Sequence, residues 1–357
     1  MPNGTINSIS DADLGTNGFT LPTKVGIVYS DVKREYFPTD AQWITEKDAQ
    51  HDAEAVGGYL ERMGIKPLLY PGNDDLIINL KRDKPEMVFN MVGSVKGQEL
   101  LSATIPAVLE LLGIPYTGAG ILGESIVYNK FLVKKLLEQA GVPVPNYQLF
   151  TTASDPMELN IRFPLISKLN EIHGAVEITK DAVSFNEKHL RDRLKFLINT
   201  YKQPVLVEEF IVGKEVACFL LEGLNKKVYM GEKVFRDSMG GSAFASFEDQ
   251  WMEDPAKGPS GEAYTYAKYD DPALRDYVKK AFDVTKMTDY GKFDVRVDAS
   301  NRYFFIDSNT NPAFGPKELN VGISLVLDLY GIGFNEILRR LIINTLRGSE
   351  EISTLGQ

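Results

Sequence analysis

Cysteine is all but missing from this chain. The single one among 357 residues, Cys218, sits in an apolar run, so no disulfide can close within the chain, a reducing compartment is expected, and the thiol reads as a small buried hydrophobe. Positive charge is also in deficit: 39 Lys and Arg stand against 49 Asp and Glu, a net charge of −10. No dense Lys/Arg run appears, which excludes a nucleic-acid or anionic-membrane surface while leaving room for a local basic pocket. No apolar run approaches the roughly 20 residues needed to span a bilayer. Met1 to Leu21 has neither the basic start nor the apolar middle of a signal peptide. It is rich in Asn, Gly, Ser, Thr and Asp and reads as a flexible leader, and the expected location is cytoplasmic. The Gly-x4-Gly-Lys-Ser/Thr phosphate loop is absent, as are internal repeats. What remains is a globular composition, 43% hydrophobic and 25% charged, in a chain long enough for two or three domains.

Apolar strands alternate with helical spacings through the first third. Lys24–Ser30, Pro67–Tyr70 and Met87–Met91 read as strands, and Glu46–Met63 and Leu100–Leu112 as helices closed by Gly64 and Gly113. This alternation predicts a doubly wound, mostly parallel α/β domain over residues 23–125 after a leader of 1–22. Asn129–Ala140 predicts a helix. A strand ending at Lys168, another at Val176–Thr179 and a helix over Asn186–Asn199 predict a small α+β lid, residues 126–208. From Val205 onward the chain is strand-rich, Val205–Glu209, Glu215–Glu222, Lys227–Phe235, Lys292–Asp298 and Tyr303–Ser308, with helices near Pro272–Met287 and Gly333–Arg347, and residues 209–357 are expected to form the last domain. Residues 237–262 read as a long mobile loop.

The sharpest chemical signal is GKFDVRVDASNRYFFIDSNTNPAF, Gly291 to Phe314. With the turn at Ala299–Arg302, Asp298 pairs with Tyr303, so Asp294 faces Asp307 and Lys292 faces Asn309, all four on one face. Opposed carboxylates repel, which makes sense around a cation. An all-oxygen donor set, Asp294, Asp307 and the Asn309 amide, suits Mg²⁺, with Mn²⁺ as the alternative ion.

This hairpin resembles the metal-binding segment of the ATP-grasp superfamily, in particular of D-alanine–D-alanine ligases, which carry Arg-x-Asp, a turn, then Glu-x-Asn-Thr-x-Pro-Gly. The resemblance spans about Lys24 to Arg347. NKFLVKKLLEQAGVPVP is similar to the helix whose early lysine, here Lys130, reaches nucleotide phosphates; FPLISK is similar to the strand ending in a second phosphate lysine, Lys168; VLVEEFIVGKEV is similar to the adenine hinge. The resemblance implies an ATP-grasp fold of mixed α/β and α+β type, its N-terminal doubly wound domain followed by two α+β domains clasping ATP. It implies that Glu208, beside Glu209, accepts from the adenine amino group, that Phe210 and Ile211 line the ring pocket, and that Glu215 holds the ribose. It further implies Mg²⁺ on Asp294, Asp307 and Asn309, with Lys292 and the Ala313 N–H supporting an oxyanion.

Departures gather on the amino-acid side. The early Gly-rich loop is replaced by SDVKREYFPTDAQWITEKDAQ, where Glu35 and Glu46 are candidate acids. The phosphate loop Glu-Gly-Ser-Ser becomes Glu171-Ile172-His173-Gly174-Ala175: Gly174 and Ala175 keep backbone N–H groups for a phosphate, and His173 can donate to a phosphate or substrate carboxylate. Lys317 and Glu318 stand where small hydroxyl residues meet the second substrate. The expectation is an ADP-forming carboxylate–amine ligase acting through an acyl phosphate on amino acids or small peptides, with a homodimer formed through the first domain. A ligase of L-amino acids, dipeptides or natural-product precursors, and a catalytically silent nucleotide-binding regulator, are the alternatives.

Overall fold

The computed structural model describes residues 20–223, 225–236, 243–251 and 263–355. Strands β1 (Lys24–Tyr29), β2 (Lys66–Pro71) and β3 (Met87–Met91) form a parallel sheet in the order β2-β1-β3. Alternation sends Val25, Ile27, Met87 and Phe89 to one face, under Ala53, Val56 and Leu60 of the helix Ala49–Arg62. Val28 and Val88 go to the other, under helices Leu76–Asp83 and Thr104–Leu112. Helices on both faces are the doubly wound arrangement that the strand–helix alternation predicts. The helix expected over Glu46–Met63 is shorter. It is preceded by a separate helix, Asp40–Ile44, whose N-cap Thr39 accepts from the Gln42 N–H at 3.3 Å, and the turn between the two carries Glu46.

An antiparallel sheet follows, β4 (Tyr147–Phe150), β5 (Leu165–Leu169), β6 (Val183–Ser184) and β7 (Val205–Glu209), in the order β4-β7-β5-β6. The helix Glu187–Tyr201 lays Leu190, Leu194 and Leu197 on Phe150, Leu165, Leu169, Val205 and Val207. The strand expected over Val176–Thr179 is instead a turn. Ala175 and Glu177 have φ of 55° and 64°, which an extended ladder cannot hold, and pairing with β5 is made by β6.

The third sheet is also antiparallel: β8 (Lys214–Leu221), β9 (Lys227–Phe235), β10 (Tyr264–Tyr269), β11 (Tyr290–Val297) and β12 (Tyr303–Asn309), ordered β10-β9-β8-β11-β12. One face packs Cys218, Leu220, Phe293 and Phe305 under Leu274, Val278 and Phe282 of the helix Pro272–Val284. On the other, Ala217, Phe219 and Leu221 share a core with helices Gly322–Asp328 and Phe334–Leu355 and with the first sheet, which Phe89 joins through Phe314 at 5.9 Å between ring centres. Of the loop expected over 237–262, residues 243–251 are described and include a short helix, Phe247–Trp251; the rest, like the leader up to residue 19, lies outside the described residues.

Candidate active site

The hairpin places its acids as the alternation predicts, by a different route. Lys292 pairs with Asn309 and Asp294 with Asp307, yet Val297, not Asp298, pairs with Tyr303. The turn therefore holds five residues rather than four. Asp298 organises it, its Oδ1 accepting from the N–H groups of Ser300 and Arg302, each at 2.9 Å. One extra residue in β12, Ile306, restores the register as a β-bulge. Two residues then oppose one, and Ile306 and Asp307 both turn into the same cleft. Phe305, on the opposite face, fills the core.

Charge in the cleft is dense and mostly paired. Lys292 Nζ donates to Asp294 Oδ2 at 2.6 Å, and Lys233 Nζ lies 3.3 Å from Asp294 Oδ1 and 2.6 Å from Glu215 Oε1. Burial pushes the Asp294 carboxyl upward, but the ammonium groups of Lys233 and Lys292 outweigh it and hold the carboxyl below its ordinary range. Asp307 follows the same pattern: burial is overcome by the charges of Lys130 first, then Lys168 and Lys292. Two buried oxygens, Asp294 Oδ1 and Asp307 Oδ1, accept no hydrogen bond. Asn309 Nδ2, 3.3 Å from Asp307 Oδ2, turns the amide into the same group. Among the described residues no three His, Cys, Asp or Glu side chains cluster as a metal cage. Two orphaned carboxylate oxygens and an amide do fit a hard cation that completes its shell with water and phosphate oxygens.

Lysines supply the opposite wall. Lys130 begins the helix Lys130–Gln139 behind the N-cap Asn129. Its Nζ donates to Ile172 O at 2.6 Å, and burial lowers its pKa. Lys168 on β5 donates to Glu208 Oε2 at 2.7 Å and to Ile306 O at 2.9 Å. Glu208 is 1% exposed. Its Oε1 forms an ion pair with Lys134 Nζ at 2.9 Å that lacks hydrogen-bond geometry, so this oxygen can still accept from an amino group. Phe210, Ile211, Ile306 and Phe244 give the cleft an apolar stretch beside Glu209 and Glu215, Phe210 and Phe244 meeting edge to face at 5.7 Å. Glu215 is more heavily committed than a free ribose acceptor would be, because Arg296 Nη2 lies 3.2 Å from its Oε2.

The loop 171–176 closes one end. Gly174 has φ +67°, and a Cβ there would stand 2.8 Å from Thr45 Cγ2, so both backbone and packing require glycine. Trp251 Nε1 donates to Gly174 O at 2.7 Å. Gly174 and Ala175 line the cleft with His173, whose Nδ1 is 2.9 Å from Glu99 Oε2 and whose Nε2 is buried without a partner.

Three of the residues singled out in the sequence lie elsewhere. Ala313 is exposed on the segment leaving β12 and is not among the cleft's lining residues. Lys317 pairs with Asp328, and Glu318 accepts from Tyr59 Oη at 2.9 Å. Both sit on a 3₁₀ turn outside the cleft, because the chain turns away after Pro316. Of the two candidate acids near the N-terminus, Glu35 is exposed. Glu46 is half-buried beside Ser94, whose Oγ donates to it at 2.9 Å, and desolvation pushes its pKa up to about 7. Lys134, Lys233, Arg296, Ile306 and Glu99 were not anticipated. Arg296 follows from the alternation that singled out Lys292 and Asp294, and Lys134 lies one helical turn beyond Lys130. Glu99 carries no local signal, being 74 residues from its partner.

Known proteins share this family and fold. The family described as D-ala D-ala ligase C-terminus matches residues 136–343. The protein y4sG of Sinorhizobium fredii is 27% identical over 272 residues, covering 73% of this chain and 78% of that protein. A D-alanine–D-alanine ligase of Acetivibrio thermocellus is 26% identical over 274 residues, covering 74% and 69%. Among solved structures, a D-alanine–D-alanine ligase from Bacillus anthracis complexed with ATP superposes with a TM-score of 0.67 at 18% identity, over 92% of this chain and 99% of that one. Fold and site together define an ATP-grasp protein. The chain belongs to the D-alanine–D-alanine ligase family.

Proposed function

We propose that this protein is an ADP-forming ligase that joins a carboxylate to an amine through an acyl phosphate. The observation carrying this reading is the pair of buried oxygens that accept no hydrogen bond on facing residues Asp294 and Asp307, ringed by Lys130, Lys168 and Lys292 and opening onto an apolar wall. ATP enters the cleft with its purine against Phe210, Ile211 and Ile306, its amino group toward Glu208 or Glu209 and its ribose toward Glu215. Lys130, Lys168 and the Gly174 and Ala175 N–H groups orient its phosphates. Asp294, Asp307 and Asn309 would hold Mg²⁺, which when bound would supply neutralisation of charge on the phosphoryl group being transferred. Lys292 stands beside that position to support the oxyanion of the acyl-transfer step, and the segment carrying Phe244 and Gln250 covers the cleft against water.

A panel of D- and L-amino acids and dipeptides, with ADP release as readout, tests the reading and names the substrates. Turnover with D-alanine alone assigns the cell-wall type of substrate. Preference for another amino acid fits the helix Asp40–Ile44 and half-buried Glu46, which occupy the segment where the resemblance leads one to expect a Gly-rich loop. Binding of ATP without turnover on any pair would leave a regulator in place of a ligase.

A further inference from the structure

We infer that Glu99 and His173 form a proton-accepting dyad for the amide-forming step, with His173 as the base and Glu99 as its positioning residue; this rests on the ligase reading above. His173 is held more firmly than a loop residue needs to be. Both Glu99 carboxylate oxygens take its backbone N–H, at 2.9 and 3.0 Å, and Oε2 also lies 2.9 Å from its ring Nδ1. The Tyr128 ring packs edge-on at 5.0 Å, and Tyr128 Oη is anchored on Gly93 O at 3.2 Å.

These three contacts fix the imidazole in position and in tautomer. An ionised carboxylate at Nδ1 requires a proton there, so the neutral ring keeps its lone pair on Nε2. That nitrogen is buried, has no hydrogen-bond partner, and belongs to a residue lining the cleft beside Lys130, Asp307 and Lys292. A buried, unsatisfied ring nitrogen costs free energy that a ligand proton can offset. The titratable groups around the ring are Glu99, the neutral phenol of Tyr128, Asp307 and Lys130, whose Nζ donates to the neighbouring Ile172 O, with Glu46 beyond Glu99. The carboxylates named in the cleft are committed elsewhere: Asp294 and Asp307 to the cation, Glu208 and Glu215 to lysine and arginine, and Glu209 to the Arg162 N–H.

The chemistry calls for such a group. An amino-acid acceptor arrives as an ammonium ion and has no lone pair until it loses a proton. Nε2 takes that proton, and the imidazolium is stabilised by Glu99. The freed amine forms the C–N bond as the C–O bond to phosphate breaks, and the second N–H proton departs with inorganic phosphate. Glu99 comes from the 3₁₀ segment that follows the first sheet and His173 from the loop after β5, so the base is set only where those two parts of the chain meet.

Two measurements test the dyad. Nitrogen-15 NMR of histidine-labelled protein at about pH 8, above the ordinary imidazole range, reads the tautomer directly, and the chain has only 3 histidines to assign. The expected signal is Nδ1–H for His173, lost in Glu99→Gln; an Nε2–H tautomer in the unaltered protein overturns the proposal. The second measurement separates the half-reactions, trapping the acyl phosphate with hydroxylamine, a weakly basic nucleophile that carries its own lone pair. His173→Ala is expected to keep hydroxamate formation within about threefold while amide formation with an amino-acid acceptor falls about 10²-fold or more. Glu99→Gln is expected to lower that same step about tenfold in kcat, with KM for ATP unchanged. Equal loss of hydroxamate and amide places His173 in phosphoryl transfer and overturns the dyad. If the unaltered protein yields neither hydroxamate nor ADP with any carboxylate, the ligase reading fails as well, an outcome distinct from a ligase whose tautomer is wrong.

Discussion

Glu124 is fully buried, with Ser102 Oγ 3.2 Å from one oxygen and no hydrogen bond to the other. Burial raises its pKa from 4.5 to about 7, against the opposing hydrogen bonds of Thr310 and Ser102. A folded pKa above the unfolded one means that the fold favours the protonated acid. The associated stability is complete below about pH 4.5 and is lost as pH rises through 7. Glu124→Gln removes the charge at nearly constant shape, so at pH 8 the variant should be more stable by up to about 3 kcal/mol, with the two thermal midpoints converging near pH 4. Parallel melting curves at both pH values would contradict this. Lys134 presents the opposite case. It is 3% exposed and shares Glu208 with Lys168. Lys134→Met leaves a buried carboxylate with one partner, and a urea titration should show a loss of about 3 kcal/mol or more.

The bulge in β12 is the element on which the cleft turns. It sets Ile306 beside Asp307 on the cleft side, so one strand position provides an apolar wall and the next an acid. Trimming Ile306 to Ala removes wall without touching an acid or a lysine. KM for ATP should rise about tenfold, equivalent to about 1.4 kcal/mol, with kcat unchanged; a fall in kcat at constant KM would place the residue in the chemistry instead. This element also shows what could be read in advance. Period-two alternation foresaw the facing acids, and foresaw Arg296 had it been followed two residues further. It could not foresee that the turn holds five residues and that Ile306 compensates, because turn length and bulge depend on Asp298 folding back on the Ser300 and Arg302 N–H groups. Lys130 and Lys168 were legible from ordered motifs, and the parallel first sheet from strand–helix alternation. Val176–Thr179 reads as a strand because Val176 and Ile178 alternate with polar neighbours, while two left-handed residues, Ala175 and Glu177, decide the backbone. Lys317 and Glu318 lie outside the cleft for a longer-range reason, being held by Asp328 and Tyr59.

At the scale of the molecule, the cleft lies between the second and third sheets, and its own cations join them. Lys168 on β5 reaches Ile306 O on β12, while Lys134, on the helix before β4, reaches Phe305 O at 2.5 Å. A nucleotide filling this space touches both sheets, and the cation it brings relieves the opposed acids Asp294 and Asp307, which mutual repulsion otherwise burdens. Such a ligand binds the folded state alone and stabilises it by mass action, about 2.7 kcal/mol at a hundred times its Kd. In a protein of this size that corresponds to a rise in Tm of roughly 4 °C. Mg-ATP should produce this shift, EDTA should remove most of it, and Asp294→Asn should melt like the unliganded protein whether or not Mg²⁺ is present. That variant should also release no ADP while keeping its far-ultraviolet circular dichroism. A full thermal shift with ATP in EDTA would mean that the lysines bind the triphosphate unaided, and that the two acids face each other for a reason other than a metal ion.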